Sequence, residues 1–305
     1  MRVPRLAFLA ASLVVLAGLF LQPAPAADGD KIQVLIIDGQ NNHNWRATTP
    51  ILKQVFDKSG RFNVAVSSNL KEGEKPGTVP DTVLFPPDLT KYQVVISNYN
   101  GAPWPAEFQK SMDSLIKEGK LGLVVFHAAN NAFSGWPEFN LMIGMGWRNN
   151  KFGDRIYFDP AGKEVRQTKG DGVGAGETSI QPFQVTIRDA EHPVTKGMPR
   201  EWMHGPDQLV HGLRGPIENV HVLATAWSDK SKKGTGEHEP MIWTVAYGTG
   251  RVFHTPMGHD VNGMRCIGFV TTLRRGTEWA ATGKVSVPIP DNFPSPDKTS
   301  SVPAK

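Results

Sequence analysis

Along this chain, short uninterrupted apolar runs alternate with stretches whose apolar residues recur every three to four positions. The run from Lys120 to Asn131 is the clearest. Leu121 to Phe126 is apolar throughout and rich in β-branched and aromatic residues, and it stops at His127 before small and polar residues. A run that short and that apolar predicts a strand buried on both faces, as in the middle of a parallel sheet. Ligands of open α/β sheets bind just past the carboxyl ends of such strands, which is where His127 stands.

The same reading extends to both sides. Lys31–Asp38 is a first strand, followed by a polar loop from Gly39 to Trp45. Thr48 or Thr49 is expected to cap a helix with Pro50 in its first turn and Ile51, Leu52, Val55 and Phe56 on one face. Phe62–Ser67 and Gln93–Ser97 are further strands, separated by an irregular Pro/Gly-rich stretch over 69–90. A helix from Pro105 carries Phe108, Met112, Leu115 and Ile116 inward and closes at Gly119. Strands alternating with helices predict a parallel sheet covered on both faces. Right-handed crossovers then bring the loops at 39–45, 98–101 and 127–131 to one edge.

Past residue 131 the pattern loosens. Trp136 to Ile143 reads as a short helix and 150–180 as loops and short antiparallel strands. Phe183–Ile187, Val220–Trp227 and Met241–Ala246 read as strands, while Met203–His211 reads as loop. Gly248-Thr249-Gly250 turns into a hairpin partner, Arg251–His254, and Gly258-His259-Asp260 follows it. Gly263–Arg274 is expected as the last helix, with Cys266 inside it, and Trp279 packs its end. The tail from Val287, with five prolines, reads as an extended or disordered arm.

The first 26 residues stand apart. Arg2 and Arg5 precede the apolar stretch Leu6–Leu21, and Ala24-Pro25-Ala26 offers a cleavage site. This predicts a secretory signal peptide over 1–26, with an uncleaved anchor as the alternative, and so a secreted or periplasmic protein. It leaves one α/β domain over 27–286 and a Pro-rich tail over 287–305. No later stretch is long and apolar enough to span a membrane. Taking Arg2 and Arg5 from the formal charge of +4 leaves +2, and there is no basic block, so a nucleic-acid partner is not expected. With one cysteine, Cys266, an internal disulfide is excluded. In a helix among Ile267, Phe269 and Val270 it is expected to be a buried, inert thiol.

Four segments, in this order and spacing, resemble the trehalose-utilisation (ThuA-like) family. They are Asn42-His43-Asn44-Trp45; Gly122 to Ala129; His192 to Gly197; and Pro240 to Trp243 with Gly250 to His254 and Gly258-His259. The resemblance covers about residues 31–282. It implies a flavodoxin-like, class I glutamine-amidotransferase-like three-layer sandwich, mostly parallel, with a late antiparallel extension. It also implies a carbohydrate context, alongside sugar oxidoreductases and 3-keto-glycoside-processing proteins. Two departures stand out. Amidotransferases place a cysteine after the central strand, where this chain has His127-Ala128-Ala129, so thiol-based glutamine hydrolysis is not expected. Family members usually carry an acidic pair and then a tyrosine; here only Asp207 is kept, with Gln208 and Val210 at the other positions.

His43, His127 and His259 each follow a strand. If the last strand is parallel to the others, the three imidazoles converge. Taken singly, each is equally well a satisfied core or surface histidine. Together they suit general acid–base work beside a sugar carbonyl, or a zinc site with one open position. The long spacing gives no separate metal signature. Asp207 is the candidate carboxylate at the rim, with a turn aspartate as its plain alternative. Trp45, Asn131, Trp147 and Trp243 are candidates to line a sugar pocket, although tryptophans are commonly core. Three functions follow: a sugar-processing isomerase, lyase or hydrolase acting by proton transfer; a zinc hydrolase; or a non-catalytic carbohydrate-binding or scaffold protein. The expected partner is a small carbohydrate, and a homo-oligomer is compatible with the sequence.

Overall fold

The computed structural model describes residues 31–79 and 82–303, so the expected signal peptide lies outside the described residues. The first half contains β1 (Ile32–Gly39), α1 (Trp45–Asp57), β2 (Phe62–Asn69), β3 (Thr82–Val83), β4 (Val94–Ser97), α2 (Ala106–Lys117), β5 (Gly122–Phe126) and α3 (Pro137–Ile143). Next come β6 (Arg155–Phe158), β7 (Glu164–Gln167), β8 (Gly176–Glu177), β9 (Gln181–Ile187), β10 (Glu201–Asp207) and β11 (Val210–His211). The chain ends with β12 (Val220–Trp227), β13 (His238–Tyr247), β14 (Gly250–Thr255), α4 (Val261–Arg265) and α5 (Ile267–Thr282).

One sheet runs in the order β10-β9-β12-β13-β14-β5-β4-β1-β2-β3. From β3 to β14 every pairing is parallel, and from β14 to β10 every pairing is antiparallel. Side chains alternate across the strands, so each strand feeds two cores. Val34, Ile36, Val94, Ile96 and Val124 face α1 and α5, meeting Leu52, Phe56, Phe269 and Leu273. Leu35, Ile37, Val95, Leu123 and Val125 face α2 and α3, meeting Phe108, Met112, Phe139 and Met142. The result is three layers. Because β14 is parallel to β5, residues 256–260 leave the sheet at the same edge as residues 127–131.

Several expectations are corrected. α1 begins at Trp45, because Asn44 rather than a threonine caps it, accepting from the Ala47 N–H at 3.2 Å; Pro50 lies within the helix. Met203–His211 is not a loop: β10 and β11 occupy most of it. Trp202 and His204 alternate inward as in any strand, but a bulge between His204 and Asp207, at Gly205-Pro206, hides the period in the sequence. The last helix is two helices, since Cys266 is extended (ψ 126°) and pairs with Ser301. α5 continues through Gly276, where the Phe253 ring lies 2.5 Å from where a Cβ would be. Cys266 is buried at this junction, not inside a helix. The tail is extended and stitched down: Met203 N–H donates to Ser295 O, Ile267 N–H to Ser300 O and Val302 N–H to Arg265 O. Among the described residues, no helix is long and apolar enough to cross a membrane.

Candidate functional site

The strand order reverses between β1 and β4, which makes this edge the expected ligand position of a doubly wound sheet. The loop after β1 is tied to the loop after β4. Asn41 Nδ2 donates to Asn98 O at 3.1 Å, Asn100 Nδ2 to Asn42 Oδ1 at 2.7 Å, and His43 N–H to Asn41 Oδ1 at 2.9 Å. His43 is thereby held over the end of β5.

His127 is the first residue past β5 and sits at φ 40°, in the left-handed region that a non-glycine residue rarely adopts. Its Nδ1 lies 2.9 Å from Pro256 O, which can only accept, so Nδ1 carries the proton. The turn after it is gripped by buried Arg148, which donates to the carbonyls of Asn130 (3.2 Å), Asn131 (3.0 Å) and Ala132 (2.6 Å). His259 comes from the loop after β14. The ring centroids are 4.7 Å apart for His43–His127, 4.9 Å for His43–His259 and 5.1 Å for His127–His259. One nitrogen from each ring lies within 4.8 Å of the other two.

The rings form the floor of a cleft of about 380 Å³. Asn131 and Trp147 line it as expected, together with Asn42, Asn130, Glu177 and Gln208. Trp45 and Trp243 do not. Trp45 is buried under Arg46, which stacks at 4.2 Å. Trp243 is core, its indole N–H donating to Ile143 O at 3.0 Å and its ring centroid 3.9 Å from that of His254. Both indoles fall on the inward faces of their elements, which a one-dimensional pattern cannot tell from a pocket wall.

Asp207 is not at the rim; it is buried beneath the cleft and 1 % exposed. Its carboxylate accepts from His204 Nε2 (2.8 Å) and from the backbone N–H of Gly258 (2.7 Å), His259 (3.1 Å) and Gln208 (2.9 Å). Gly263 makes room for it, since a Cβ there would lie 2.7 Å from the carboxylate. Asp207 is therefore a positioning residue that sets the His259 loop. Burial alone would raise its pKa, but the His204 hydrogen bond and charge outweigh burial and hold it below the usual carboxylate range. Burial works against the His204 charge in turn, but Cys266 and Asp207 push that ring up to about 10. Burial alone would raise the pKa of the buried Cys266 sulfur, but the charge and hydrogen bond of His204 hold it below the ordinary thiol value; it does not line the cleft. His204, Arg148 and Glu177 escape the sequence reading: His204 behind the bulge, Arg148 as an ordinary surface-type residue, Glu177 in a stretch without periodicity.

Burial pushes other imidazoles down: His43 to about 4, helped by the neighbouring His127 and His259, His192 to about 4 and His254 to about 3. These rings are neutral when folded, whereas their unfolded counterparts protonate below the ordinary value of 6.5. Proton uptake therefore favours unfolding as the pH falls from 6.5 towards 4. His204 runs the other way, but the stability it lends is complete below 6.5 and is lost only as the pH rises towards 10. The urea midpoint is expected to be lower at pH 5 than at pH 6.5, and an equal or higher midpoint would contradict this.

Residues 33–280 match the model of the ThuA family, described as trehalose utilisation. The fold is similar to that of a ThuA-like protein from Parabacteroides merdae, at 39% identity and TM-score 0.81, over 89% of this chain and 98% of that one. A ThuA-like protein from Bacteroides uniformis is similar at 17% identity and TM-score 0.52, over 87% and 98% of the two chains, which speaks to fold alone. Among curated proteins, none matches the chain.

Proposed function

This chain belongs to the trehalose-utilisation (ThuA) family, with its class I glutamine-amidotransferase-like fold, and on that footing we propose that it is a carbohydrate-processing enzyme. Its substrate is a small sugar of the 3-keto-glycoside kind, and its reactive centre is the His43–His127–His259 cleft. On the leader-like residues 1–26 it acts outside the cytoplasm. One observation carries the reading: three imidazoles from three separate strand ends meet within 4.8 Å at the base of an open cleft. A histidine held at φ 40° is a costly backbone choice, of a kind that persists at reacting sites.

The chemistry follows from the free nitrogens. With Nδ1 protonated and bonded to Pro256, His127 presents the lone pair of Nε2 to the cleft. That lone pair can take a proton from a sugar hydroxyl, or from the carbon beside a ketone. Asn42, Asn131, Gln208 and Glu177 offer donors and acceptors for hydroxyl groups, and Trp147 offers a flat face to a ring. A volume of about 380 Å³ suits one or two sugar rings.

The test is incubation of the purified chain with 3-keto-glucosides and with trehalose in D2O, followed by NMR. Turnover of the keto sugar, with deuterium appearing beside the ketone, is the expected result. Binding without turnover or exchange would instead make this a sugar-binding protein on an enzyme's fold.

A further inference from the structure

We infer that His43, His127 and His259 bind one divalent transition-metal ion of the zinc class, leaving a coordination position open to the cleft. This deepens the reading above and rests on it, because the open position faces the same sugar; with an ion bound, the His127 Nε2 lone pair is a ligand rather than the proton acceptor, and loss of His127 lowers metal content together with turnover.

His127 Nδ1 is committed as a donor to Pro256 O at 2.9 Å. His43 Nδ1 lies 3.1 Å from Asn42 Oδ1, an oxygen that already accepts from Asn100 at 2.7 Å, so this nitrogen also donates. In each neutral ring the proton is thereby placed on Nδ1, and Nε2 is left with a lone pair. Yet the two Nε2 atoms face each other at 3.2 Å. Two lone pairs at that distance repel unless a cation lies between or beside them. Ligating histidines are characteristically oriented in this way, with the second nitrogen donating to a carbonyl.

The dimensions agree. Zinc–nitrogen bonds of about 2.0–2.1 Å in a tetrahedral site put neighbouring nitrogens roughly 3.4 Å apart. The His43–His127 separation is close to this, and the His259 nitrogen, within 4.8 Å, belongs to a half-buried loop residue able to close the remainder. Three imidazoles without a carboxylate ligand favour a borderline ion such as Zn²⁺ over Mg²⁺ or Ca²⁺. A proton shared between His43 and His127 is the competing explanation.

The two are separated by measuring metal rather than turnover. Tag-free protein is dialysed, its metal content is determined, and Zn²⁺ affinity is read by chelator competition, with Co²⁺ absorption reporting the geometry. The expected result is about one ion per chain, removed by chelator and restored by Zn²⁺. His43→Asn, His127→Ala and His259→Ala each weaken affinity about tenfold or more. His192→Ala, paired with His221 outside the cleft, does not weaken it. His43→Asn, in a half-buried loop, keeps the test open should His127→Ala misfold. Protein that binds Zn²⁺ no more tightly than His43→Asn would overturn the inference, and the shared proton would stand. Metal bound but no sugar processed would overturn the proposed function alone. Sugar processed by protein that shows no such Zn²⁺ binding would overturn the metal site alone.

Discussion

Replacing His127 by alanine is expected to cut turnover of the sugar substrate by about a hundredfold or more, the usual size of a general acid–base contribution. The fold is expected to survive. His127 lies past the apolar part of β5, and Leu123, Val124 and Val125, which hold the strand in the sheet, are untouched. Glycine in its place sharpens the test. At φ 40° glycine relieves strain of about 1–2 kcal/mol that alanine retains. His127→Gly should therefore be as inactive as His127→Ala but melt higher than it. Equal melting points would mean that the turn is unstrained, and near-normal turnover in either variant would remove His127 from the chemistry.

Asp207→Ala is expected to have the largest effect on stability. It leaves the buried His204 ring without its carboxylate partner, and it strips an acceptor from the backbone N–H groups of Gln208, Gly258 and His259. Breaking a buried charged pair by removing one partner costs about 3–5 kcal/mol. For a domain of this size that lowers the melting temperature by roughly 10 °C. The His259 loop loses its anchor at the same time, so turnover should fall as well, although Asp207 touches no substrate. Asp207→Asn keeps the shape but only part of the accepting capacity, and its effect on both measures should be intermediate. A melting temperature unchanged in Asp207→Ala would contradict the buried clamp.

Much of the parallel half was legible because it is buried on both faces. Val34 to Ile37, Val94 to Ile96 and Gly122 to Phe126 are apolar for the simple reason that helices cover both sides. The candidate histidines were legible for a topological reason: each follows a strand whose direction the alternation of elements predicts. Burial direction was not legible. Trp45, Trp243 and Asp207 look the same in sequence whether they face a cleft or the core, and the structure puts all three inside. Nor were partners distant in sequence, such as Arg148 with the turn at 130–132, because the bonds go to carbonyls that every residue carries.

The place of β14 in the sheet has a kinetic consequence. Val252 pairs with Leu123 and Thr255 with Phe126, so the middle of the sheet is closed by a strand made near the end of the chain. Pairings so distant in sequence are slow to form, since the loop entropy is lost before any contact is gained. Until then β5 is an open, apolar edge, the kind that joins to another chain. A growing or newly released chain should therefore depend on chaperones until residue 255 is in place, and its histidines cannot meet before that moment.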